Sequence, residues 1–363
     1  MKAAVLSAAE TPLVIEEIII DDPLAGEALV RIVAAGVCHS DLHFIEGTYR
    51  ARYPHILGHE VAGVVEQVGA GVTNVAAGDR VILGFVQPCG HCSFCDSGRP
   101  SLCSTPATAS RPADRPARTR LDGTPVSAMT NIGGFAEYAI TPANGLIKVP
   151  ADVSLDIAAL VGCSVTTGYG AVVNTAKVEP GSTVAVVGAG GVGLNIIQAA
   201  RLAGAARIIA VDMIEHKLAT ARQFGATDTV NAGDGDPVKQ VQELTGGGVE
   251  YAFEAISLRV TAEQAYEMAG RGGTAVIVGM VPPREQISVS GLIWMHEKTL
   301  KGSFYGSARF HTDMPRILEL YRQGKLDLDS LVTRRYELGG INEAFAALKA
   351  GEGTRSVLTI GRE

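Results

Sequence analysis

A chain of 363 residues is longer than one ordinary core can organise, and its length alone suggests two domains. Hydrophobic residues make up 47% and charged residues 19%, which describes a well-buried globule and excludes a disordered chain. A net charge of -7 leaves no basic excess to neutralise phosphates, so no nucleic-acid partner is expected.

The start, Met1-Lys2-Ala3-Ala4-Val5-Leu6, faintly resembles a signal peptide, but Glu10, Pro12, Glu16 and Glu17 soon interrupt it. No run reads as long enough to cross a bilayer, so no membrane partner and a cytoplasmic location are expected. Strands are predicted over 13–20, 28–35, 61–68 and 80–86, each a β-branched or alternating run bounded by turn residues. They suggest a small β-barrel-like domain carrying long loops. Cys38 opens Cys38-His39-Ser40-Asp41-Leu42-His43, and Gly58-His59-Glu60 follows. Next comes a loop with Cys89, Cys92, Cys95 and Cys103 in the spacing C-x2-C-x2-C-x7-C. Four thiolates so close together suit tetrahedral zinc, because the loop closes round the ion with little entropy left to lose. Nothing suggests secretion, so metal is favoured over disulfides. Cys163 lies far from both sets, and an open Cys, His, Cys site beside the closed one would make a two-zinc enzyme. The stretch 104–132 has no period and carries Arg111, Arg115, Arg118 and Arg120. It reads as a surface excursion or lid whose arginines are solvated, with an anion site as the lesser alternative.

From about Val165 the texture becomes α/β. Strands are predicted over 183–187, 207–211, 228–231, 249–254, 274–279 and 299–304, with helices up to 203 and around Lys217, Val241 and Gln264. That alternation makes a doubly wound parallel sheet. The first strand runs into Gly188-Ala189-Gly190-Gly191-Val192-Gly193, and Asp212 ends the second. Gly188 permits the tight turn, Gly190 lets a pyrophosphate approach, and Gly193 lets helix and strand pack closely. The helix N-terminus offers free N–H groups to the phosphates. Asp212 would accept hydrogen bonds from the adenosine ribose and repel a 2'-phosphate. Met213 and Ile214 supply no cation, although Lys217 is within reach, so NAD is favoured over NADP. The tail from 305, with helices around Leu318 and Phe345 and a strand over 356–360, is too small to stand alone and is expected to complete the first domain.

Taken together, Gly36-Val37-Cys38-His39-Ser40-Asp41, Gly58-His59-Glu60, the four-cysteine loop, Gly162-Cys163, Thr167-Gly168-Tyr169-Gly170 and the glycine fingerprint resemble the zinc-dependent alcohol dehydrogenases of the medium-chain dehydrogenase/reductase superfamily. The resemblance runs over essentially the full length. It implies an α/β protein: a GroES-like, β-rich catalytic domain from 1–164 and 305–363, and a Rossmann NAD-binding domain from 165–304. It implies a catalytic zinc on Cys38, His59 and Cys163 and a structural zinc on the four-cysteine loop, two ions per subunit. Three protein ligands leave a fourth position for an alcohol, whose pKa the ion pulls from about 16 toward 7, and an alkoxide surrenders hydride far more readily. By the same resemblance Asp41 orients His59, Glu60 assists ligand exchange, and Ser40 and His43 relay the alcohol proton. His39 and Arg355 contact the pyrophosphate, Thr167 and Val192 pack on the nicotinamide, and Gly191 and Val278 also belong to the cofactor site. Tyr49, Phe85, Phe135, Met280, Met295 and Phe304 line the substrate pocket.

The reading is therefore an NAD-dependent zinc alcohol dehydrogenase interconverting alcohols with aldehydes or ketones, preferring medium-chain or aromatic primary alcohols. A homodimer is expected from the likeness of the 104–132 loop to that of dimeric members. The rivals are a formaldehyde dehydrogenase acting on a thiol adduct and a non-catalytic NAD-binding structural protein.

Overall fold

A computed structural model of the chain describes residues 1–104, 111 and 117–362. It divides into two compact units, Met1–Cys163 with Arg309–Glu363, and Ser164–Ala308. The expected boundaries at 164/165 and 304/305 thus move to 163/164 and 308/309. The turn Tyr305–Ser307 stays with the second unit because its backbone lies against Gly170, where a Cβ would meet the Gly306 carbonyl oxygen at 2.2 Å.

The first unit is built on a seven-stranded sheet. Its order is Leu146–Lys148, Arg80–Leu83, Glu60–Val68, Glu27–Val37, Arg355–Thr359, Val332–Glu337, with Tyr138–Pro142 also paired to Glu27–Val37. The tail does return: Val357 pairs opposite Gly36, and Ile341, Phe345 and Leu358 join Leu6, Ile32, Val61, Leu83 and Phe135 in one buried core. Each such side chain contributes roughly 1.5–3 kcal/mol by leaving water. The expected strand over 13–20 breaks into Val14–Glu17 and Ile19–Ile20 on different sheets, because Ile18 between them turns inward and is buried. Lys2–Leu6 is a strand between Val14–Glu17 and His55–Ile56, with Ala3 to Leu6 fully buried.

The stretch 104–132 also differs from its expectation, and Arg115 lies outside the described residues. Thr119–Leu121, Thr124–Pro125 and Ser127–Ala128 are short strands, the first paired to Ile19–Ile20. Arg111 and Arg118 are not solvated. Both guanidiniums close on the carboxylate of Glu27 at 2.8 Å, and Arg111 also reaches Asp21 at 2.8 Å. Arg120 donates to the Ala117 carbonyl.

One helical run does have the length and apolarity to cross a bilayer, against the expectation. Leu155–Ala176 spans 22 residues at a hydropathy of 1.4, but 83% of it is buried within the protein, so its apolarity belongs to the core. Gly162, Gly168 and Gly170 break the run in the sequence and hide it. Two π-helical turns interrupt it, Val161–Val165 and Ala171–Ala176, and the first carries Cys163.

The second unit is a six-stranded, wholly parallel sheet in the order Asp228–Asn231, Arg207–Asp212, Thr183–Val187, Val249–Glu254, Ala269–Ile277, Thr299–Gly302. Numbered along the chain this is 3-2-1-4-5-6, and the order reverses beside Thr183–Val187. Val184 to Val187 and Ile208 to Val211 are buried on both faces, which is why they read as unbroken apolar runs. Helices Gly191–Leu202, Glu215–Phe224, Pro237–Thr245 and Arg259–Met268 connect the strands.

Candidate functional site

In the first unit, Cys38 sits where the strand Glu27–Val37 gives way to the helix His39–Ile45, and His59 immediately precedes the strand Glu60–Val68. Those neighbouring strands and the π-turn of Cys163 bring donor atoms of Cys38, His59, Glu60 and Cys163 within 4.8 Å of one another, all buried. His59 places Nδ1 on Asp41 Oδ1 at 3.2 Å, and the same oxygen accepts the Gly58 N–H at 2.9 Å. The other ring nitrogen, Nε2, is buried without a hydrogen-bond partner. A bare imidazole nitrogen beside two thiols is a donor set that fits zinc. The thiol of Cys163 and the His59 ring hold Cys38 well below the ordinary thiol range despite its burial.

Glu60 has a second partner. Its carboxylate is ion-paired to the buried guanidinium of Arg355, and Gly36 leaves the room, since a Cβ there would lie 2.2 Å from Glu60 Oε2. Burial pushes the Glu60 carboxyl up to about 7 against the pull of Arg355. Arg355, expected as a pyrophosphate contact, is held against this carboxylate. The pairing of Arg355–Thr359 with Glu27–Val37 turns its side chain onto Glu60, leaving the residue 5% exposed.

Ser40 Oγ lies 3.7 Å from Cys38 Sγ, and His39 is exposed at the helix start. His43, on the same helix, is half-buried; its Nε2 has no hydrogen-bond partner, and burial holds its pKa below the usual histidine value. Tyr49 stands 5.9 Å from the His43 ring, and Phe85 meets His59 edge-on at 5.4 Å. Phe135 is no lining residue. It is fully buried against Phe345, fixed by backbone bonds to Leu57 and Ala4.

The four-cysteine loop closes as expected. All four sulfurs lie within 4.8 Å of one another, with Cys89–Cys95 and Cys92–Cys103 at 3.9 Å, and none forms a disulfide. A tetrahedron of thiolates at about 2.3 Å from zinc has edges of roughly 3.8 Å. Backbone N–H groups of Cys95 and Ser104 hold the Cys92 thiol down to about 5. Asp96 and Glu297 are exposed acids.

In the second unit the fingerprint takes the shape its glycines require. Gly188 has φ +100, and a Cβ on Gly193 would lie 1.8 Å from the Gly188 carbonyl oxygen. Gly190 precedes the helix Gly191–Leu202, and Val192 is half-buried at its start. Asp212 accepts the Ala189 N–H at 2.9 Å on one oxygen and the Ile214 N–H at 3.0 Å on the other. A carboxylate has about four acceptor sites, so two remain for ribose hydroxyls. Lys217 is half-buried in the first turn of Glu215–Phe224. Thr167 is buried on Thr166–Gly170, whose Gly168 backs onto the Val192 carbonyl. Val278 donates its N–H to the Glu254 carbonyl. Met280 is half-buried, while Met295 and Phe304 are exposed.

Residues 24–151 match the family described as alcohol dehydrogenase GroES-like domain, and residues 191–322 match zinc-binding dehydrogenase. The NDMA-dependent alcohol dehydrogenase of Amycolatopsis methanolica is 41% identical over 367 residues, covering 98% of each chain. The chain belongs to the zinc-dependent alcohol dehydrogenases of the medium-chain dehydrogenase/reductase superfamily. As such it is an oxidoreductase. Among solved structures, an alcohol dehydrogenase zinc-binding domain protein from Burkholderia ambifaria superposes with a TM-score of 0.94 at 37% identity. The benzyl alcohol dehydrogenase of Acinetobacter calcoaceticus superposes at 0.93 and 32%, and both matches cover 99% of each chain.

Two features of this alcohol dehydrogenase were missed in the sequence: the Glu60–Arg355 pair and the clasp of Arg111 and Arg118 on Glu27. Both depend on long-range register, for which no local signal exists.

Proposed function

We propose that this alcohol dehydrogenase oxidises medium-sized and aromatic primary alcohols with NAD, carrying one catalytic and one structural zinc per subunit. The buried set Cys38, His59 and Cys163, with its bare imidazole nitrogen, carries the reading. Zinc bound there supplies a Lewis acid that lowers the pKa of an alcohol hydroxyl. Asp41 fixes the ring plane and tautomer of His59. Ser40 is the first hydroxyl to receive the alcohol proton. His43, with an unpartnered nitrogen and a lowered pKa, stays neutral and able to accept that proton at pH 7. Asp212, with two acceptor sites to spare, supports NAD over NADP. Tyr49 and Phe85, beside His43 and His59, favour an apolar alcohol, and the likeness to a benzyl alcohol dehydrogenase points the same way.

The test is kcat/KM along ethanol, butanol, hexanol and benzyl alcohol. It should rise by about fourfold per added methylene, from about 0.8 kcal/mol each, until the site is full. A flat series would sink the apolar-substrate reading, and a preference for NADP would sink the role of Asp212. A relative is named for its dependence on NDMA, so the series is run with NAD alone and with NDMA as acceptor. Turnover with NDMA but none with added NAD alone would replace free NAD as the electron acceptor.

A further inference from the structure

The mechanism leaves one buried acid in the second unit unused. Glu254 ends the strand Val249–Glu254 and is fully buried. Its Oε1 takes three donors: the N–H of Ile256 at 2.8 Å, the N–H of Ser257 at 2.7 Å and the hydroxyl of Thr261 at 2.8 Å. Its Oε2 is buried without a partner, directly under Gly279, where a Cβ would come within 2.5 Å of it. The Glu254 carbonyl oxygen accepts the N–H groups of Val278 and Gly279. Ser257 is held at φ 86, a conformation that costs a side-chain-bearing residue about 1 kcal/mol or more. In that conformation its hydroxyl accepts the Met280 N–H at 2.8 Å.

Glu254 therefore holds the loop after the fourth strand, 255–258, through its carboxylate, and the loop after the fifth, 278–280, is joined to it through the Glu254 carbonyl and the Ser257 hydroxyl. Both loops leave the carboxyl ends of strands just beyond the point where the strand order reverses, which is where doubly wound sheets bind dinucleotides. The first loop also touches the fingerprint, since a Cβ on Gly188 would meet Ile256 at 2.6 Å. Asp212 serves the opposite half of the crevice, beside the second strand. A helix cap alone would need neither the strained Ser257 nor its bond to the neighbouring loop.

We propose that Glu254 is a positioning residue: through Ser257 it sets the wall of the crevice that receives the nicotinamide mononucleotide half of the cofactor. The inference rests on the NAD reading above. Glu254→Gln keeps shape and acceptor but exchanges charge-assisted bonds for neutral ones. Ser257→Ala removes only the tie to Met280. Each variant is titrated calorimetrically with NAD and, separately, with AMP, which occupies the adenosine half alone.

Glu254→Gln should weaken NAD by about tenfold, the worth of one charge-assisted hydrogen bond, Ser257→Ala by about fivefold, the worth of a neutral one, and both should leave AMP within about twofold of wild type. Unchanged NAD affinity in both variants overturns the proposal. Equal losses for NAD and AMP also overturn it, since they mean a loosened unit rather than a misplaced wall. If the wild-type protein binds AMP and NAD equally weakly, the NAD reading fails first and takes this inference with it.

Discussion

Asp41 touches no substrate in the proposed reaction, yet one of its oxygens carries both the His59 ring and the Gly58 N–H. Asp41→Asn keeps the shape and loses the charge, so zinc affinity at the Cys38, His59, Cys163 set should fall by about 10–100-fold. Competition with a chromogenic chelator measures this, and an unchanged zinc Kd would remove Asp41 from the site. At this scale the four-cysteine loop was legible from its short spacing, whereas Cys38, His59 and Cys163 lie far apart in the sequence and were named through the family resemblance. Phe135 was misread because an aromatic ring has the same letter in a pocket and in a core. The pairing of Arg355 with Glu60 was not legible because the two lie 295 residues apart and meet through strand register.

The clasp of Arg111 and Arg118 on Glu27 decides how a long, irregular stretch is fastened to a strand. Glu27 is buried, which by itself would raise its pKa, but the two guanidiniums and the Leu24 N–H pull it below the usual carboxylate value. A carboxyl depressed in the folded state stabilises above its unfolded pKa, about 4.3, and that stabilisation is lost as pH falls through the folded value. Glu27→Gln should lower stability at pH 7 by about 2 kcal/mol. This is less than the 3–5 of a fully buried pair because Asp21 still faces Arg111. The wild type should lose this advantage below about pH 4, so the two denaturation midpoints converge there. Parallel midpoints from pH 7 to 3 would refute the clasp. Elements with a clear period or a continuous apolar run were legible, and Thr183–Val187, Asp228–Asn231 and Val249–Glu254 match their predicted bounds. The strands Thr119–Leu121, Thr124–Pro125 and Ser127–Ala128 were not, because segments of two or three residues carry no period and exist only through their partners.

In the proposed function the two cysteine sets divide the labour. Cys163→Ala should remove one zinc per chain and all turnover while the unfolding midpoint stays within a few degrees of wild type. Cys95→Ala should remove the other zinc and lower that midpoint, because the loop is held by the closed site. Metal content, calorimetry and initial rates on the same preparations check this, and full activity with one zinc or none would falsify the division. The architecture also bears on how the protein is made. Along one edge of the strand Glu27–Val37, residues 27–31 pair with Tyr138–Pro142 and residues 34–37 with the much later strand Arg355–Thr359. At about 5–20 residues per second, a ribosome needs roughly half a minute to deliver that neighbour. Throughout that interval residues 34–37, next to Cys38, have an unpaired edge, open to any other nascent strand. The sheet closes only once that strand arrives, so the enzyme's yield in a cell depends on what shields residues 34–37 while the remainder is being translated.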